Sequence, residues 1–149
     1  MKENLLFYSA YESFYKMAEH SNAFASYCQD AFGANFSQDG FSDLWQVEQI
    51  LKYIPKTGHP HILDIGCGNG KMLQYLQKQT GALIHGFDYS ENAIESAVRH
   101  TTDSEFRVGV IGEIEYPSQI FDTVISMDSL YFAPDMRRFV GQIRNWLKP

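Results

Sequence analysis

The stretch Asp64-Ile65-Gly66-Cys67-Gly68-Asn69-Gly70 decides the fold. Before it lies HILDIG (61–66), a short apolar run that reads as a strand. After it, KMLQYLQKQT sets Met72, Leu73 and Leu76 on one helical stripe, and Gly81 reads as the C-cap. Gly66 and Gly68 let the chain turn sharply and let a ligand approach the backbone, where a Cβ would collide; Gly70 allows close helix-to-strand packing. A β-to-α connection that binds nothing is the bland alternative, and the residues around the turn argue against it.

The same grammar continues toward the C-terminus. ALIHGFD (82–88) is a second strand, Glu91–Arg99 a helix, Phe106–Ile111 a third strand and FDTVISM (121–127) a fourth. Asp135 caps a last helix that turns Phe139, Val140, Ile143 and Leu147 inward. Strands alternating with helices imply parallel β-α-β units, and the apolar strands imply helices on both faces. The N-terminal third is different. Tyr8, Tyr11 and Tyr15 share a helical stripe, with Leu5 and Phe14 on nearby faces, and a second helix runs from about Asn22 to Phe32. Gly33–Gly40 is a loop. Asp43 with Gln46 starts a third helix carrying Leu44, Val47, Ile50, Leu51 and Ile54, which Pro55-Lys56-Thr57-Gly58 ends. The expected domains are therefore a helical cap over residues 1–57 and a Rossmann-like α/β unit over 58–149.

Composition narrows the function. The 149 residues are 44% hydrophobic and 20% charged, enough for one packed domain. A net charge of −6 argues against a nucleic-acid binder, which needs surplus cations for phosphates. No apolar run is long enough to span a membrane. The polar start MKENLLFYSAYESFY fits neither a signal nor a transit peptide. Cys28 and Cys67 are too few for a disulfide scaffold, so a cytoplasmic setting is expected. His20, His59, His61, His85 and His100 lack metal-ligand spacing, and no metal is assigned.

Two acids flank the glycine turn. Asp64 ends the first strand and Asp88 the second. A carboxylate at Asp88 can accept both hydroxyls of a ribose; its competing use is as a helix cap, for which Ser90 is the rival. The spacing G-x-G-x-G departs from the dinucleotide pattern G-x-G-x-x-G, and Asp64 would repel a pyrophosphate. Asp64 suits an ammonium group or a water network instead. S-adenosylmethionine carries both a diol and an α-amino group.

LDIGCGNG resembles the first motif of class I S-adenosylmethionine-dependent methyltransferases, GFDYS their second, and FDTVISMDSLYFAPD their fourth-strand motif, with a Leu-Lys-Pro ending. The likeness covers roughly residues 41–149. AFGANFSQDG ahead of LWQVEQIL more distantly resembles small-molecule N-methyltransferases.

The resemblance implies S-adenosylmethionine as cofactor and roles for matched positions. Gly66, Cys67 and Gly68 line its methionine part and ribose, Asp64 its amino group, Asp88 the ribose hydroxyls and Tyr89 the adenine. The carbonyl near Ser126 or Met127 meets the ammonium, and Asp128 and Tyr131 face the methyl acceptor. Departures are visible. Val110-Ile111-Gly112-Glu113 lacks the usual acid for the adenine amine, so Glu113 or a backbone group takes that part. Phe132 stands where many relatives have His. Relatives usually continue past the point equivalent to Pro149 toward seven strands, whereas about four are encoded here. Either this is a fragment of a longer enzyme or a second copy covers the fourth strand's edge as a homodimer.

The expected activity is methyl transfer to a small-molecule acceptor, most readily an amine. The alternatives are a fragment that binds S-adenosylmethionine or S-adenosylhomocysteine without turnover, and a nicotinamide-dependent oxidoreductase. The tyrosine stripe, Tyr15 included, serves either as a lid offering cation–π faces or as plain helix packing. Ser37 and Gln38 serve either the cofactor carboxylate or the loop alone, and Asp128 either an amine or the following turn. Cys67 reads as a packing residue.

Overall fold

The computed structural model describes residues 5–56 and 58–149. The turn expected at 55–58 includes Thr57, and the polar start includes residues 1–4; these lie outside the described residues. Three helices come first: α1 (Tyr8–His20), α2 (Asn22–Phe32) and α3 (Leu44–Ile50). Then follow β1 (His61–Ile65), α4 (Lys71–Thr80), β2 (Leu83–Asp88), α5 (Glu91–His100), β3 (Ser104–Val108), β4 (Thr123–Ile125), a 3-10 turn (Leu130–Phe132) and α6 (Met136–Trp146). The sheet is parallel throughout, in the order β3-β2-β1-β4. The chain steps outward from β1 to β3, then returns to β4 on β1's other side. That reversal opens a crevice at the strands' carboxyl ends.

Local chemistry sets the boundaries. Ser21, Asp43, Ser90 and Asp135 each accept a hydrogen bond from the first turn of their helices, and Asp43 with Gln46 forms a complete capping box. Ser90, not Asp88, is the cap of α5. Gly33 and Gly81 close α2 and α4 in the left-handed conformation.

The strands alternate between two cores. Ile62 and Ile84 face α3, α4 and α5, packing with Val47, Ile54, Leu73, Leu76 and Ile94. Leu63, Ile65 and Phe87 face α6, packing with Tyr116, Phe121, Phe139 and Trp146. Trp146 is 1% exposed, and its loss to Ala is expected to cost about 3–5 kcal/mol.

Several expected boundaries shift. The third helix ends at Ile50, although Ile54 beyond it stays buried. The third strand lies at 104–108, not 106–111, because its pairing runs from Ile84↔Ser104 to Asp88↔Val108 and Val110 then starts a turn. It is not covered on both faces: Ser104, Glu105, Arg107 and Val108 are exposed, and only Phe106 is half-buried. On α6, Val140 points outward and Trp146 takes the inward place. The fourth strand pairs over three residues only, since β1 offers Ile62, Leu63 and Asp64 as its partners. It ends the sheet, and only the chain just before it is paired on the outer side. Phe121 bridges to Leu147, and the Lys148 N–H donates to the Phe121 carbonyl at 2.9 Å.

Candidate functional site

A cavity of about 520 Å³ opens at the carboxyl ends of β1, β2 and β4. That is ample for a nucleoside-sized ligand. Its floor is the glycine turn. The Gly66 and Cys67 N–H groups both donate to the Phe87 carbonyl, at 2.9 and 3.0 Å, hooking the turn onto the end of β2. Gly66 and Gly68 hold φ of +72° and +54°, a region side chains rarely adopt. Their immediate neighbours are protein: a Cβ on Gly66 would lie 2.5 Å from Ser129 Cβ, and one on Gly68 2.5 Å from the Tyr15 hydroxyl. Gly70 meets α5 and β3, since its Cβ would lie 3.0 Å from both Ala97 Cβ and a Phe106 ring carbon.

The two acids are buried at this floor. Asp88 accepts from Gly68 N–H through one oxygen at 3.0 Å and from Ser90 N–H through the other at 2.9 Å. Each oxygen keeps a further lone pair for a ligand hydroxyl. Burial outweighs these bonds and pushes its carboxyl up to about 6. Asp64 is 3% exposed, and its Oδ1 has no hydrogen-bond partner. Burial, with the Asp88 charge beside it, holds this carboxyl well above the usual range. An unpartnered buried carboxylate oxygen is costly on its own and is relieved by a cationic ligand. Together the pair fits a ligand with an ammonium group and a vicinal diol.

Cys67 is a free, buried thiol whose proton is held by burial and by the charges of Asp88 and Asp64. It packs in the turn, as the sequence suggests. Glu113 and Met127 line the same cavity, Glu113 from the exposed turn after β3.

Aromatic rings wall the opposite side. Tyr11, Tyr89 and Phe132 form a triangle with centroid separations of 5.8, 6.3 and 6.5 Å. Tyr8 packs edge-on against Tyr89 at 5.7 Å, and the Tyr89 hydroxyl donates to the Leu6 carbonyl at 3.1 Å. Tyr15 reaches the glycine turn, and burial raises its phenol well above the ordinary value. Tyr11 is pushed up to about 12 by burial and by Asp39. Both phenols are therefore neutral donors at neutral pH. Tyr131 lies tilted against Phe132, with ring centroids 4.7 Å apart, and is largely exposed.

The loop between α2 and α3 crosses the cavity mouth. Asp128, at φ +56°, accepts from Phe41 N–H at 3.3 Å and Ser42 Oγ at 3.1 Å, so it pins this loop as well as lining the cavity. A Cβ on Gly40 would lie 2.3 Å from its carboxylate, which explains the glycine there. Ser37 Oγ accepts from Lys71 Nζ at 2.8 Å, and the Gln38 side chain braces Ala34, Phe36 and Ser42 backbone. Both serve the loop's shape, and both line the cavity.

Sequence reasoning missed the clamps that seat α1 on α5. Glu12 accepts from Ser90 Oγ and from Asn92 Nδ2 at 2.8 Å. Glu19 takes Ser96, Arg99 and His100. Burial raises the Glu19 carboxyl, but those hydrogen bonds and charges win and bring it down to about 2. The acid spacing i, i+7 on α1 was the only signal. Asp39, which lines the cavity and helps raise the Tyr11 phenol, also had no local signal.

The family model of the "Methyltransferase domain" matches residues 62–149. Over 106 residues the chain is 31% identical to the ubiquinone biosynthesis O-methyltransferase of Coxiella burnetii, covering 66% of this chain and 45% of that protein. It is 32% identical over 109 residues to the tRNA U34 carboxymethyltransferase of Aeromonas salmonicida, covering 70% of this chain and 34% of the relative. The chain thus spans less than half the length of these curated relatives. Among solved structures, phosphoethanolamine N-methyltransferase 2 of Haemonchus contortus, bound to phosphomonomethylethanolamine and S-adenosylhomocysteine, superposes with a TM-score of 0.70 at 25% identity over 93% of this chain and 33% of that one. No helix among the described residues is long and apolar enough to cross a membrane. With the glycine turn, its two acids and the matched family model in agreement, the chain belongs to the class I S-adenosylmethionine-dependent methyltransferases.

Proposed function

We propose that this chain transfers a methyl group from S-adenosylmethionine to a small-molecule amine. One observation carries the reading: a single cavity joins the Asp64–Asp88 floor to an aromatic and acidic wall built from Tyr11, Tyr15, Asp128 and Tyr131. S-adenosylmethionine, when bound, supplies a methyl already activated on a sulfonium, so the protein needs no nucleophile of its own. Asp64 holds the amino group. Asp88 accepts the ribose hydroxyls. Gly66, Cys67 and Gly68 lie along the methionine and ribose, Tyr89 and Glu113 at the adenine, and the backbone near Met127 at the ammonium. Tyr15, Asp128 and Tyr131 align the acceptor, and residues 1–57 act as a lid that keeps water out.

The net charge of −6 favours a small molecule over a nucleic acid as acceptor. Two free buried cysteines suit a reducing, cytoplasmic setting. The uncovered part of the β4 edge is where a further strand, or a second copy, would pair. The test is formation of S-adenosylhomocysteine by the purified chain with a panel of primary, secondary and tertiary amines. Amine-dependent product supports the reading. Tight cofactor binding with no product for any amine replaces it with a binding module.

A further inference from the structure

We propose that the acceptor is recognised by a positive charge, that Asp39 at the cavity mouth is the residue selecting it, and that acceptors bearing phosphate or carboxylate are excluded. This rests on the methyl-transfer reading and adds the charge of the substrate. Five carboxyl side chains line the cavity, Asp39, Asp64, Asp88, Glu113 and Asp128, with no Lys, Arg or His among the described lining residues. Lys71, Lys78 and His100 line a separate hollow of about 490 Å³ that also takes in Asn35 and Phe36 of the α2–α3 loop. Asp64, 3% exposed and with a buried Oδ1 that has no hydrogen-bond partner, lines the same cavity.

The aromatic triangle of Tyr11, Tyr89 and Phe132 stands in that acidic field, and the Asp39 carboxylate lies close enough to Tyr11 to help hold its phenol proton. Ring faces beside a carboxylate are the chemistry that holds alkylammonium groups. A phosphate in the same place would meet several carboxylates and no Lys, Arg or His in the described lining; Lys71 reaches the wall only through Ser37 Oγ, to which it donates at 2.8 Å. Asp39 itself is exposed at the mouth and holds none of the turn's backbone, so its charge is available to an incoming ligand.

The experiment is calorimetric titration of the chain, saturated with S-adenosylhomocysteine, with three probes of similar shape. These are choline, its uncharged carbon isostere 3,3-dimethylbutanol, and phosphocholine. Choline should bind at least tenfold more tightly than either of the others, and its affinity should fall as salt rises. Asp39→Asn should weaken choline about five- to tenfold, flatten the salt dependence, and leave S-adenosylhomocysteine affinity as it was. Equal binding of choline and the isostere, tighter binding of phosphocholine, no binding of any probe, or an unaltered choline affinity in Asp39→Asn would each overturn the proposal. Failure of the methyl-transfer reading looks different: charge discrimination persists while no amine yields S-adenosylhomocysteine.

Discussion

The Gly68 N–H donates to the Asp88 carboxylate across 3.0 Å, tying the glycine turn after β1 to the end of β2. The residue proposed to meet the nucleoside therefore also shapes the turn beneath it. Gly68→Ala tests this coupling. The residue holds φ +54°, and the new Cβ would sit 2.5 Å from the Tyr15 hydroxyl. The left-handed backbone alone costs roughly 1–2 kcal/mol. The variant should melt at a lower temperature and bind S-adenosylhomocysteine at least tenfold more weakly, both readable in one thermal-shift titration.

Asp88 makes the account pH-dependent, and the sign differs for binding and for stability. Its carboxyl ionises near 6 in the fold against 3.8 ordinarily, because burial opposes the charge. The folded chain keeps a proton that the unfolded chain has lost, so the free protein loses stability as pH rises from about 4 to 6. The loss is roughly 3 kcal/mol, at 1.36 kcal/mol per unit. Binding runs the other way, since ribose hydroxyls donate best to the ionised form. S-adenosylhomocysteine affinity should drop as pH falls below 6, and Asp88→Asn should flatten both profiles in paired melting and titration series.

Asp64→Asn should separate stability from function. Its Oδ1 has no partner, and its charge is disfavoured by burial and by Asp88. Replacing the acid removes a carboxyl whose charge burial opposes, and with it the proposed partner of the ammonium. The free variant should melt higher than the parent, while S-adenosylmethionine affinity falls about tenfold or more. A variant that melts lower and binds normally would remove Asp64 from the cofactor site.

Glu12 tests the proposed lid. It holds Ser90 and Asn92 at the start of α5, close to Asp88 on the same connection. Glu12→Ala should cost roughly 1–3 kcal/mol, the worth of hydrogen bonds to a charged group. Amide hydrogen exchange over residues 8–20 should quicken, with a smaller loss of cofactor affinity.

The parts of this site written locally were readable in advance. Asp64, the glycines and Asp88 fall within two strand ends, and the capping signals at Asp43, Ser90 and Asp135 need only a few residues each. What escaped was set across the chain. Glu12 meets Asn92 eighty residues away, and Asp128 meets Phe41 eighty-seven away, with nothing local to mark either. Asp128 occupies a left-handed conformation that its sequence neighbours do not announce. The inward face of α6 was misjudged at Val140 because residues 139, 143 and 146 already complete the stripe. The third strand's exposure follows from its place at the sheet edge, which is a matter of topology.

Isothermal titration of the purified chain with S-adenosylhomocysteine and with NAD, beside Asp88→Ala, reaches the central claim most directly. The account predicts saturable binding of S-adenosylhomocysteine, no heat with NAD, and a loss of about 1–3 kcal/mol of binding free energy in the variant. Binding of NAD without S-adenosylhomocysteine, or an affinity indifferent to Asp88, would contradict it.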